Sequence, residues 1–189
     1  MAVALPNARL WTREEYHRAF DEGVLRQNER LELVDGQILE KMTQHPPHAV
    51  AVRRISREFE ARFGQDHDVR AQLPVALSDR SEPEPDIVIV PGGPDDYLSG
   101  HPSPGQIELL VEVSDASLER DRRYKIPLYA KMGVREVWIV DIEGRRVEAH
   151  REPSEKGYRR VLTLMDTESL APLFRPDATI DVSTLLPPA

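Results

Sequence analysis

Three short apolar runs decide the fold: EPDIVIV (84–90), IELLVEV (107–113) and EVWIVDI (136–142). Their unbroken apolar cores are IVIV, LLV and VWIV, short continuous runs of the kind found in strands buried on both faces of a sheet. Between the second and third runs lie SDAS (114–117), suited to capping a helix, and LERDRRYKIPLYAKM (118–132), the helix it would open. Strand, helix, strand in that order is a right-handed crossover unit, so the middle of the sheet is expected to be mixed or parallel. Pro127 falls inside the helix, where it deletes one backbone hydrogen bond and is expected to bend the axis just after Lys125.

Working outward, DVRAQLPVAL (68–77) alternates with Val69, Ala71, Leu73, Val75 and Leu77 on one face, as a half-buried strand should, and Pro74 points to an edge or a bulge. Before it, Val52, Ile55, Phe59 and Phe63 recur at helical spacing, with Gly64 placed to end the helix. The segment RLELVDGQILEKM (30–42) is two alternating runs joined by Asp35-Gly36, a pair favoured where a two-residue hairpin needs positive φ. Thr12 and Glu15 have capping-box spacing, and Trp11 with Tyr16 fits a hydrophobic staple, so a short helix is expected from Arg13 to about Asp21. Downstream, VEAHREP and YRRVLTLM read as an antiparallel pair turning at Ser154–Gly157. The tail has one short strand near Ala178–Val182, and the Gly- and Pro-rich 91–105 is a long loop. The whole is a mixed α/β (α+β) fold: a central sheet flanked by helices, with an N-terminal hairpin and C-terminal antiparallel strands.

With 189 residues, 40% of them hydrophobic, the chain is expected to form a single soluble domain over 1–189. It has no cysteine, so disulfides and thiolate metal sites are excluded and any metal must be held by oxygen or imidazole. No signal-like or membrane-spanning run occurs, and a cytoplasmic location is the expectation. A net charge of −8 argues against non-specific coating of nucleic acid. It leaves room for local basic clusters at Arg53, Arg54 and Arg57, and at Arg120, Arg122, Arg123, Lys125 and Lys131.

Asp86 opens the first run and Glu112 sits late in the second. Were those strands neighbours, both carboxylates would reach one sheet edge, with the Val113 carbonyl as a further oxygen. A buried Glu between valines needs a partner, either an ion or a salt bridge with Lys125. Magnesium, which prefers one or two carboxylates plus water and phosphate, suits such a sparse set, and manganese would serve as well. Two carboxylates and an amine are the minimum kit for metal-assisted phosphodiester hydrolysis. Asp121, four residues before Lys125, offers that lysine an ordinary ion pair instead. Trp138 reads as core, and Asp141 and Asp115 as turn and cap residues.

EPDIVIV, VEVSDAS and ERDRRYKIPLYAKMGVREVWIVD, together with LELVDGQILEKM and the His48 helix, resemble the Uma-type restriction endonuclease family within the PD-(D/E)xK nuclease superfamily. The resemblance covers most of the chain and is weakest beyond about Met165. It implies a restriction-endonuclease-like sheet and a magnesium-dependent endonuclease acting on DNA. Asp86 takes the place of the PD aspartate, and Glu112 that of the second acidic ligand. The superfamily's lysine would stand where Ser114 is; in the Uma-type branch it lies on the next helix, matching Lys125. Glu32 and His48 match the supplementary acidic residue and the branch's histidine. A homodimer would let two sites address two strands. The alternatives are an inactive nucleic-acid-binding or interaction protein of this fold, and a metal-dependent hydrolase of another phosphate ester.

Overall fold

The computed structural model describes residues 8–26, 28–41, 44–115 and 118–188. Six strands form one mixed sheet in sequence order: β3 (His67–Ala71), β4 (Ile87–Pro91), β5 (Leu109–Ser114), β6 (Glu136–Asp141), β7 (Arg146–Ser154) and β8 (Gly157–Met165). All neighbours are antiparallel except β5 and β6, which pair in parallel across the crossover. The crossover expected from the three apolar runs is therefore present.

Alternation along the buried strands sorts side chains onto two faces. Ile87, Ile89, Leu109, Val111, Trp138 and Val140 pack on one side beneath helix α2 (Pro46–Phe63), whose Ile55, Phe59 and Phe63 are fully buried, and against the short C-terminal helix α5 (Val182–Leu185). Phe59 meets Trp138 edge-on at 6.0 Å, and burying each such ring contributes roughly 2–3 kcal/mol. Val88, Val90, Leu110, Val137 and Ile139 face the other way, toward Ile126, Leu128 and Tyr129 of helix α4 (Ile126–Lys131). Asp86 and Glu112 share the parity of Val88 and Leu110, so both belong to this second face.

The N-terminus follows its local signals. Helix α1 (Arg13–Asp21) carries the Thr12–Glu15 capping box. Strands β1 (Leu31–Val34) and β2 (Gln37–Glu40) close at Asp35 and Gly36, both at positive φ (47° and 76°). A side chain at Gly36 would also meet Leu10 Cβ at 2.7 Å, so glycine is required there for space as well as for dihedral. The hairpin is tied to the segment entering β4: the Gly36, Asp35 and Glu82 N–H groups donate to Arg80 O, Ser81 Oγ and Leu33 O. At the other end of the chain, the short strand near residue 180 is β10 (Ile180–Asp181), paired with β9 (Ser169–Leu170).

Three expectations are corrected. The strand expected over 68–77 ends at Ala71, where Gln72 turns to φ 54° and donates its N–H to Asp86 O. Pro74 has no N–H to continue a ladder, and Val75 and Leu77 donate instead to Pro83 O and Ser81 O, closing a local loop. The anticipated facing also fails: in β3 Arg70 is buried, with its guanidinium 5.1 Å over the Tyr97 ring, while Ala71 is exposed, as is Leu73 beyond the strand's end. Around Pro127 the helix does not simply bend. After α3 (Leu118–Arg120) it widens into a π turn over Asp121–Lys125, in which the Ile126 N–H bonds Asp121 O, and then resumes as α4. A proline ring collides with the carbonyl four residues back, and one wider turn relieves that collision. Part of the expected cap, Ala116 and Ser117, lies outside the described residues. No described helix is long and apolar enough to cross a membrane.

Candidate active site

Asp86 stands immediately before β4, where Ile87 pairs with Val111. Continuing that antiparallel register by one rung sets Asp86 beside Glu112. The carboxylate of Asp86 also crosses to β5 directly, with Oδ2 accepting from the Val113 N–H at 2.9 Å. His48, in the first turn of α2, lies with Nε2 3.1 Å from the same oxygen, and Gln72 Nε2 donates to Oδ1 at 3.2 Å. Burial alone would raise the Asp86 pKa. The His48 contact, the Lys125 charge and the Val113 N–H outweigh it and hold the carboxyl below its usual range. In return, and against its own burial, the imidazole of His48 is held above its ordinary value by Asp86.

Glu112 is 2% exposed and gripped from α4 and the π turn. Lys125 Nζ lies 3.0 Å from both carboxylate oxygens, and the Tyr129 hydroxyl donates to Oε1 at 2.5 Å. Lys125 and Tyr129 are four residues apart, so one helix face delivers both. Burial pushes the Glu112 carboxyl up to about 8, against the attraction of Lys125 and with added repulsion from Asp86. Lys125 is itself held well above its ordinary value, since Glu112, Glu32, Asp121 and Asp86 together outweigh its desolvation.

Asp86, Glu112, Val113, His48 and Lys125 line a cavity of about 70 Å³ that also takes in Glu32, Lys41, Glu84 and Arg120. Glu32, buried on β1, accepts the Glu84 N–H at 3.3 Å, which sets the hairpin over the entrance to β4. The structure thus brings Asp86, Glu112, Lys125, His48, Glu32 and Val113 to one place. Val113 meets Asp86 through its N–H. Ser114, at the position usual for the superfamily's lysine, donates its hydroxyl to buried Asp121 at 2.7 Å, while Lys125 turns to Glu112. The expected basic cluster is divided: Arg120 and Lys125 line the cavity, whereas Arg122 makes paired hydrogen bonds to Glu148 on β7. Tyr129 and Gln72 escaped the sequence reading. For Tyr129 a signal existed, because a tyrosine at i+4 from Lys125 on the apolar helix face needs a partner for its hydroxyl.

The Uma2 family, described as "Putative restriction endonuclease", matches residues 13–183. The chain belongs to the Uma2 family. Among solved structures, that of "a putative nuclease belonging to DUF820" from Anabaena variabilis ATCC 29413 superposes with a TM-score of 0.68 over 92% of this chain and 96% of that one. Identity is 15%, so the likeness is one of fold. No curated protein sequence matches the chain. The Uma2 match places the chain in a family described as putative restriction endonucleases, and the mixed sheet agrees with the fold shared with the Anabaena variabilis structure.

The Arg122–Glu148 contact fixes the π turn of this Uma2 chain to the sheet and carries an acid-stability prediction. His150, with Nε2 3.6 Å away, and the closer Arg122 hold buried Glu148 down to about 2, against desolvation and from an ordinary 4.5. A depressed carboxylate contributes stability that is complete above 4.5 and lost as pH falls toward 2. Urea unfolding of wild type and Glu148→Gln is expected to differ by on the order of 2–3 kcal/mol at pH 6, with the gap closing near pH 2. An equal gap at both pH values would remove Glu148 as its source.

Proposed function

We propose that the chain is a metal-dependent endonuclease that hydrolyses DNA phosphodiester bonds, with Asp86 and Glu112 as ligands of a divalent cation, Val113 beside them, and Lys125 as the catalytic amine. The observation that carries this reading is the meeting of two buried carboxylates on adjacent strands with an ammonium that bonds both oxygens of one of them.

The donor set suits magnesium or manganese. A carboxylate oxygen accepts about two hydrogen bonds. Asp86 Oδ1 accepts one, from Gln72, and Glu112 Oε2 accepts one, from Lys125, so each retains a lone pair. Among the described residues no three His, Asp or Glu side chains group closely enough to hold an ion alone. That favours a hard cation completed by water and substrate phosphate over one held in a full protein cage. When bound, such an ion supplies Lewis-acid polarisation and a more acidic water.

The protein's own groups do the remaining work. Lys125 presents its ammonium at the cavity, where it would orient the attacking water and stabilise charge gathering on the phosphoryl oxygens. Tyr129 and Lys125 hold Glu112 in one rotamer, while His48 and the Val113 N–H do the same for Asp86. Glu32 adds negative charge close to the ligands.

Supercoiled plasmid incubated with magnesium or manganese is expected to be nicked and linearised by wild type, to survive in chelator, and to be cut about 10³-fold more slowly by Glu112→Gln. No cutting by wild type with either ion, or equal cutting by Glu112→Gln, would defeat the proposal.

A further inference from the structure

The cavity floor is strongly acidic, with Glu32, Glu84, Asp86, Glu112 and Asp121 in its wall, and Lys125 is already committed to Glu112. A phosphodiester approaching such a floor meets repulsion unless other cations receive it. Three are present on one side of the mouth. Lys41, just past β2, lines the cavity with its side chain only 14% exposed and its Nζ 2.5 Å from Glu84 Oε2. Arg30, at the foot of β1, is exposed and sits next to it, since the Lys41 N–H donates to Arg30 O at 2.7 Å. Arg120 reaches over from α3 to within 3.4 Å of Glu40 O. The open end of the hairpin and the start of the helix therefore gather a lysine and two arginines beside the carboxylates, although the chain has only four lysines in all.

We propose that Lys41, with Arg30 and Arg120 beside it, is a phosphate-binding rim that receives the DNA backbone next to the scissile position, with Glu84 as the partner Lys41 exchanges for a phosphate. This rests on the endonuclease reading and adds a substrate contact to it. The competing role for Lys41 is a structural ion pair that merely balances Glu84. The two roles differ in sign: a structural pair makes Glu84 neutral or helpful to DNA binding, whereas an exchanged partner makes Glu84 a competitor of the phosphate.

The test is equilibrium binding of the full-length protein to a short fluorescein-labelled DNA duplex in chelator, where no cleavage intervenes, between about 50 and 200 mM salt. Lys41→Met is expected to bind roughly 5- to 10-fold more weakly at about 0.1 M salt and to lower the salt slope by about one, as loss of one phosphate contact does. Lys41→Arg is expected to restore both. Glu84→Gln, which releases the amine, is expected to bind about two- to three-fold more tightly. Circular dichroism melting checks that each variant is folded. A folded Lys41→Met with wild-type affinity and slope overturns the rim, as does Glu84→Gln binding more weakly than wild type. Either result leaves plasmid cleavage by wild type untouched, so the rim can fail while the endonuclease reading stands. Failure of wild type to bind the duplex at all overturns the rim directly.

Discussion

Lys125→Met is expected to lower the unfolding free energy by about 3–5 kcal/mol and to abolish measurable DNA cleavage. Methionine fills nearly the same volume, so the loss is electrostatic: Glu112, 2% exposed, would keep Tyr129 as a hydrogen-bond donor but lose the cation bonded to both its oxygens. The pair also predicts its own rescue. When both charges of a buried pair are removed, the desolvation cost of each disappears with the attraction between them, and the net change is often near zero. Glu112→Gln combined with Lys125→Met is therefore expected to recover most of the lost stability while remaining inactive. Urea denaturation of the four proteins of this cycle gives the coupling as the departure from additivity. Additive losses would mean that Lys125 and Glu112 do not stabilise each other, and the picture of a clamped carboxylate would fall.

Asp86→Asn is expected to lose less stability than Lys125→Met, giving up the ion pair with His48, and to show a large loss of function. The amide oxygen can still accept from the Val113 N–H, so the tie between β4 and β5 survives. What disappears is the negative charge that a divalent cation needs. Charge stabilisation by such an ion is worth several kcal/mol in the transition state, so cleavage is expected to fall by about 10³-fold or more. Manganese binding, followed by the electron paramagnetic resonance signal of the free ion, is expected to weaken in parallel. If Asp86→Asn titrates manganese as wild type does and still cuts plasmid, the ion is held elsewhere.

How much of this was legible in the sequence depends on whether a residue's surroundings are local. The strands β4, β5 and β6 announce themselves because continuous burial leaves mostly apolar residues, and the Asp35-Gly36 hairpin because two positive φ angles are needed in sequence. Asp86, Glu112 and Lys125 could be singled out together, the first two from buried strands and the third through a resemblance that moves the lysine onto the helix. The end of β3 at Ala71 was not legible in the same way: alternation continues to Leu77, but the N–H groups of Gln72, Val75 and Leu77 find partners in Asp86, Pro83 and Ser81, a loop that only tertiary structure brings back. The π turn escaped for a related reason. Pro127 signals a disturbance in the helix, but whether it appears as a kink or as an extra residue in the turn is settled by Lys125 and Tyr129 reaching Glu112 and by Arg122 reaching Glu148.

That extra residue has a consequence for how the chain can change. Successive residues of an α-helix advance by about 100°, so deleting any one position between 121 and 125 would rotate everything upstream by roughly that angle relative to α4. Arg122 would swing away from Glu148, and Asp121 from Ser114. Exposed Tyr124 can be exchanged for other side chains, yet the number of residues between Ser114 and Lys125 cannot change. This stretch should therefore be intolerant of insertions and deletions, its length guarded as strictly as the letters at Asp121, Arg122 and Lys125.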